Sequence, residues 1–113
     1  MKELTNNTFD ELFESSNTEL YAIDFSATWC GPCKNLANTL ESIIPEIPAV
    51  TFAKADVEEC DELANQFKIR NVPTVVFFDK NKNPVHRFSG AFPKETIIKF
   101  INEALERNKT KIS

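Results

Sequence analysis

Apolar positions recur along this chain in two different periods, and the alternation between them predicts helices and strands in turn. Phe9, Leu12 and Phe13 share one face of a short helix ending near Asn17. Thr8 before it, with Glu11 three residues on, has the form of a capping box. Tyr21 to Phe25 is almost continuously apolar, as in a strand covered on both faces. From Cys33, the residues Leu36, Ala37, Leu40, Ile43 and Ile44 return to helical spacing, and Pro45 and Pro48 close that helix. Val50 to Val57 predicts a second strand. Glu58 to Phe67 predicts a third helix, with Cys60, Leu63, Ala64 and Phe67 on its apolar stripe.

Thr74-Val75-Val76-Phe77-Phe78 is strongly β-prone, the polar run Asp79 to Asn83 is a turn, and Pro84 to Ser89 completes a hairpin. Pro93 suits the first turn of a last helix, on which Ile97, Phe100, Ile101 and Ala104 share a face. Asn108 to Ser113 reads as a polar tail. The order α-β-α-β-α-β-β-α predicts an α/β fold, a central mixed sheet of four to five strands flanked by four helices. The whole chain, 1–113, is expected to be one domain.

Composition narrows the class of function more than the fold. A net charge of −4 argues against nucleic-acid binding, which asks for a basic stripe. No apolar run approaches the roughly 20 residues that span a bilayer, and Met1 to Asn7 carries no secretory h-region. Three cysteines are poor material for a disulfide framework and suit a reducing compartment, so a cytoplasmic location is expected. The cysteines then need a chemical explanation.

Two of them lie in Trp29-Cys30-Gly31-Pro32-Cys33, after a strand and at the start of a helix. Thiols two residues apart at that point can close a small disulfide ring, and the helix terminus lowers the first thiol's pKa. Cys30 falls at or beside the N-cap, where unpaired N–H groups and the positive end of the dipole favour a thiolate. Cys33 opens the apolar stripe, so its sulfur is expected to point inward. On that difference in exposure Cys30 is the nucleophile and Cys33 the resolving thiol. A zinc half-site is the competing reading, but there is no second Cys-x-x-Cys and His86 is the one histidine.

Asp24 stands inside the apolar strand. If buried, its carboxyl pKa rises and it becomes a proton acceptor near neutrality; at a strand edge it would simply face water. Lys54 in the neighbouring strand could pair with it or remain solvated. Cys60 reads as a small apolar residue on a packed face, with a regulatory role as the alternative, and His86 is expected to be exposed.

Three segments together carry a resemblance. Asp24-Phe25-Ser26-Ala27-Thr28-Trp29-Cys30-Gly31-Pro32-Cys33-Lys34 resembles the active-site segment of the thioredoxin family, and its Phe-Ser-Ala-Thr-Trp stretch resembles that of eukaryotic cytosolic members. Ile69-Arg70-Asn71-Val72-Pro73-Thr74 resembles its cis-proline loop, and Phe88-Ser89-Gly90-Ala91 its late glycine-containing loop. Their spacing matches too, so the resemblance covers nearly the whole chain. It implies the thioredoxin fold and a protein-disulfide reductase that cycles between a Cys30/Cys33 dithiol and disulfide.

The resemblance further implies that Pro73 is cis and packs on the disulfide, and that the Val72 backbone pairs with an extended target. Trp29, Gly31, Pro32, Val72, Ser89, Gly90 and Ala91 would form the docking surface. Asp24 would help deprotonate Cys33, with Lys54 tuning it. Implied partners are disulfide-containing proteins and an NADPH-dependent flavoprotein thioredoxin reductase; the chain itself would be a monomer, bind no cofactor or metal, and touch neither nucleic acid nor membrane. Gly31 and Pro32 supply no cation between the thiols, which favours reduction over disulfide formation. A redox-switched protein-binding module is the second reading of the same surface. The chain departs from the family pattern at Ser26, at Asn38 in place of the proline that kinks the second helix, and in a turn Asp79 to Asn83 that lacks glycine.

Overall fold

A computed structural model describes residues 1–110. The elements are β1 Lys2–Glu3, α1 Phe9–Ser15, β2 Leu20–Ser26, α2 Gly31–Ile43, a 3-10 turn Ile44–Glu46, β3 Val50–Asp56, α3 Asp61–Gln66, β4 Thr74–Asp79, β5 Pro84–Ser89 and α4 Lys94–Thr110. The strands form one mixed sheet in the order β1-β3-β2-β4-β5. β1, β3 and β2 run parallel, whereas β4 is antiparallel to β2 and β5 to β4. Five strands and four helices match the expected architecture.

Side-chain parity along the central strand builds the two sides of the sheet. Tyr21, Ile23 and Phe25 of β2 join Val76 and Phe78 of β4 on the face covered by α1 and α3. Leu20 and Ala22 join Val75 and Phe77 on the opposite face, under Leu36 and Leu40 of α2 and Ile97 and Ile101 of α4. All seven residues of β2 are buried, as the near-continuous apolar run predicts. Asp24 falls by parity on the face of α2, the helix that carries the cysteines.

Several element ends differ from the pattern reading, each for a local reason. β1 has no signature in the sequence, because two exposed residues carry no periodicity; pairing with Ala53 and Lys54, together with buried Leu4, holds it. The capping box does not form. The Thr8 hydroxyl accepts the Thr5 N–H at 2.8 Å and makes no bond to the helix it precedes. α1 stops at Ser15, since Ser16 is already extended. α3 starts at Asp61 rather than Glu58: the Asp56 carboxylate accepts the Glu58 N–H at 2.8 Å and the Asp56 carbonyl accepts the Cys60 N–H at 2.7 Å, so a turn occupies the intervening residues.

α3 closes in a Schellman arrangement, with Ile69 N–H donating to Ala64 O at 2.8 Å and Lys68 N–H to Asn65 O at 3.2 Å. Lys68, at φ 56°, takes the left-handed position usually given to glycine. The glycine-free β4–β5 turn is organised instead by Asp79, whose carboxylate accepts the N–H groups of Asn81 and Asn83 at 2.8 and 2.9 Å. The expected tail over 108–113 is corrected in part: Asn108 to Thr110 are the last turn of α4, where Asn108 donates to the Glu19 carbonyl at 3.0 Å. Residues 111–113 lie outside the described residues. Among the described residues no helix is long and apolar enough to cross a membrane.

Candidate active site

β2 delivers the chain to the sheet's end and α2 begins there, so Cys30 becomes the helix N-cap. Its extended backbone (φ −99°, ψ 112°) turns Sγ back over the first turn, where it accepts the Cys33 N–H at 3.2 Å. Pro32 sits in that turn, where a missing N–H leaves no helix bond unmade. Cys30 and Cys33 are joined as a disulfide with Cα atoms 5.3 Å apart. A sulfur at this cap faces unpaired N–H groups and the positive end of a 13-residue helix, which favours its anionic form once the disulfide opens.

Exposure does not separate the two sulfurs as expected. Cys30 is 6% exposed and Cys33 3%, because Ala27, Val57 and Val72 pack around the pair. What distinguishes them is position: Cys30 is outside the helix as its cap, and Cys33 begins the buried stripe that continues through Leu36, Leu40 and Ile43. Beside this covered pair Trp29 stands 71% exposed. Gly31 and Pro32 are also exposed.

A second loop meets the disulfide from β4. The Val72–Pro73 peptide is cis, and the Val72 carbonyl lies 4.0 Å from Cys30 Sγ. Pro73 is buried and Val72 half-buried. Gly90 N–H donates to the Pro73 carbonyl at 2.9 Å, and Thr74 and Ser89 hydroxyls meet at 2.8 Å. These bonds bring the Ser89-Gly90-Ala91 segment alongside the Val72 loop. The N–H and C=O of Val72 take no partner among the backbone hydrogen bonds of the described residues.

Asp24 is 1% exposed, and neither carboxylate oxygen has a hydrogen-bond partner among the described residues. Burial raises its pKa from 3.8 to about 7, against the pull of the Lys54 ammonium. Lys54 is its register partner across β2 and β3, on the same face of the sheet. An open cavity of about 500 Å³ on that face is lined by Glu3, Cys33, Asn38, Lys54 and Asp56, among others. The structure thus brings Cys33 and Lys54 to one space, and Asp24 lies on the same face of the sheet as Lys54. Glu3, Asn38 and Asp56 were not foreseen there; for Asp56 the signal was present, since it shares the parity of Lys54 on β3.

Cys60 is fully buried at the start of α3, and its thiol donates to the Leu4 carbonyl at 3.2 Å. Burial and the neighbouring carboxylates of Asp56, Glu59 and Glu3 hold that thiol's pKa up. His86 is not the exposed residue expected: its ring stacks on Phe77 and Nε2 lies 3.1 Å from a Glu103 oxygen, leaving the side chain 14% exposed. Helix and strand periods would place all ten phenylalanines in the core, but Phe92, in the loop before α4, is exposed. Among the described residues no group of three or more His, Cys, Asp or Glu is placed to hold a metal ion.

Comparison with known proteins agrees with this geometry. A family model described as Thioredoxin matches residues 1–103. "Thioredoxin Y, chloroplastic" of Oryza sativa subsp. japonica is 39% identical over 106 residues, 93% of this chain, which spans 62% of that relative's length. "Thioredoxin" of Pongo abelii is 36% identical over 104 residues, covering 91% of this chain and 97% of the relative. The X-ray structure of Fasciola hepatica thioredoxin superposes with a TM-score of 0.82 at 36% identity, covering 92% of this chain and 99% of that one.

Proposed function

The chain belongs to the thioredoxin family, and on that premise we propose that it is a thiol–disulfide oxidoreductase that reduces protein disulfides. The observation that carries this reading is the disulfide built on a helix cap: Cys30 Sγ accepts the Cys33 N–H and is bonded to Cys33 itself. Such a pair can attack, be attacked and close again.

The reaction runs as two exchanges. Cys30 thiolate attacks one sulfur of the target disulfide; a Cys30–target bond forms, the target's S–S bond breaks, and its other sulfur leaves as thiolate. Cys33 then gives up its proton and attacks Cys30 Sγ, releasing the second target thiolate and forming the Cys30–Cys33 disulfide. Two electrons pass to the target. Asp24, with its pKa near 7, is suited to take the Cys33 proton, and Lys54 favours its charged form. The Val72 backbone, which takes no partner among the backbone hydrogen bonds of the described residues, can accept an extended target by strand addition. Trp29, Gly31, Pro32, Ser89, Gly90 and Ala91 surround the approach.

The oxidised form is returned to dithiol by an NADPH-dependent thioredoxin reductase, with no cofactor held by the chain. It acts as a monomer in the cytoplasm. The test is catalytic: insulin disulfides should be reduced over many turnovers with NADPH and a thioredoxin reductase. Stoichiometric binding without turnover would instead favour a redox-switched binding module. An equilibrium titration against glutathione checks direction, because a potential as oxidising as that of protein disulfide isomerases would overturn the reductase reading.

A further inference from the structure

Phe92 stands two residues beyond Gly90, where the docking loop returns to α4. It is 37% exposed, and with Trp29 it is one of the two large apolar side chains exposed among the described residues. Its ring folds back over Gly90: a Cβ at that glycine would stand 3.4 Å from Phe92 Cε2. Gly90 is itself bonded to the Pro73 carbonyl. The ring therefore flanks the cis-proline loop, next to the backbone at which a target would pair.

The ring is also held in place. It meets Phe100 edge-on at 5.2 Å between centroids and Phe88 at 6.0 Å, and Pro93 fixes the backbone after it. An aromatic ring seated on two others has little freedom left to lose when a partner covers its outer side. Its chain neighbours Ser89, Gly90, Ala91 and Pro93 are neutral, and the next cation along the chain, Lys94, is paired with Glu46 at 2.7 Å. Such a wall rewards an apolar side chain over a polar one.

Resting on the reductase reading above, we propose that Phe92 is a specificity-determining residue that widens the docking surface beyond Ala91 and selects target segments with an apolar side chain flanking the attacked cysteine. The occupant is an extended stretch of target polypeptide aligned along the Val72 backbone, with one side chain laid against the Phe92 ring.

The test uses the full-length protein and synthetic peptides, each closed by one disulfide and identical except for Leu or Gln at a single position. That position is varied in turn over the three residues on either side of the attacked cysteine. Both residues are uncharged, so the chain's net negative charge does not enter. The wild type should prefer Leu at one position or more, by roughly 10-fold in kcat/KM and carried mainly by KM, as expected for covering about a third of an aromatic side chain. F92A should lose most of that preference and F92L should keep most of it. F92L also serves as the folding control, since it retains an apolar contact with Phe88 and Phe100.

A wild type indifferent to Leu or Gln at every position would overturn the proposal, as would an F92A variant that keeps the wild-type preference. Failure of the wild type to reduce any of the peptides would overturn the reductase reading itself, and this inference with it.

Discussion

Asp24 and Lys54 are register partners on adjacent strands and on the same face of the sheet, yet no hydrogen bond or ion pair joins them. Lys54 acts on the carboxylate at a distance, lowering its pKa without offsetting the cost of burial. The carboxyl is therefore left able to ionise near neutrality, where a group tied into a salt bridge would already be charged.

That arrangement burdens the fold. A carboxyl whose pKa rises from 3.8 to about 7 on folding favours the folded state fully below pH 3.8, and this contribution is lost as pH rises to about 7. Above that range the buried charge costs about 4 kcal/mol relative to a neutral group. Asp24→Asn should therefore stabilise the protein by a few kcal/mol at pH 8 and by little near pH 4. Urea unfolding of both proteins across that range checks the sign; a gain independent of pH would mean that Asp24 does not titrate as described.

Asp24→Asn should also slow the second exchange more than the first. A positioned base contributes on the order of 100-fold or more to a proton transfer, so loss of the carboxylate should be plain in stopped-flow rates for resolution of a preformed mixed disulfide. Equal rates in wild type and variant would remove Asp24 from the mechanism.

Lys54→Met removes the charge that lowers the Asp24 pKa. The midpoint of Asp24 ionisation, followed by carboxyl carbon NMR, should move upward from about 7, and the pH profile of the second exchange should move with it. Glu3, Lys34 and Asp56 face the same cavity and remain in the variant, so the comparison isolates one charge.

Cys33→Ser should leave target proteins covalently attached to Cys30, because the attack that releases them has been removed. Adducts should run as reducible high-mass bands and vanish in the Cys30→Ser variant. Adducts forming equally well through Cys33 in the Cys30→Ser protein would reverse the assignment of roles.

Gly90 and Lys68 make opposite predictions about the same backbone region. Gly90 has φ 107°, a conformation L side chains rarely adopt whatever the space around an added Cβ. Gly90→Ala should cost about 1–3 kcal/mol. Lys68 at φ 56° already bears a left-handed strain, so Lys68→Gly should stabilise by up to about 1 kcal/mol. Urea midpoints with unchanged m-values check both.

The parts of this structure legible in the sequence were those carried by long periodic runs or by residue types tied to one chemistry. The apolar run of β2 and the 3.6-residue stripe of α2 each extend over several side chains facing one core, so tertiary packing agrees with local pattern. β1 was invisible because two residues have no period, and what forms it is a partner strand distant in sequence. The capping box at Thr8 and the early start of α3 failed for a shared reason: a short polar side chain, Thr8 or Asp56, can bond in either chain direction, and each here serves a turn. The buried position of Cys30 depended on Val57 and Val72, which reach it only through the fold.

A protein that takes hold of extended chains risks being taken hold of in return. Both margins of this sheet discourage that. β1 is two residues long and bears Lys2 and Glu3, while β5 opens with Pro84, carries Arg87 and pairs through an irregular register at Phe77 and Phe78. Neighbouring copies thus find no long flat border to zip onto. On the proposed reductase reading, pairing with an extended target is left to the Val72 backbone beside the sulfurs, so that stickiness and chemistry coincide in one place.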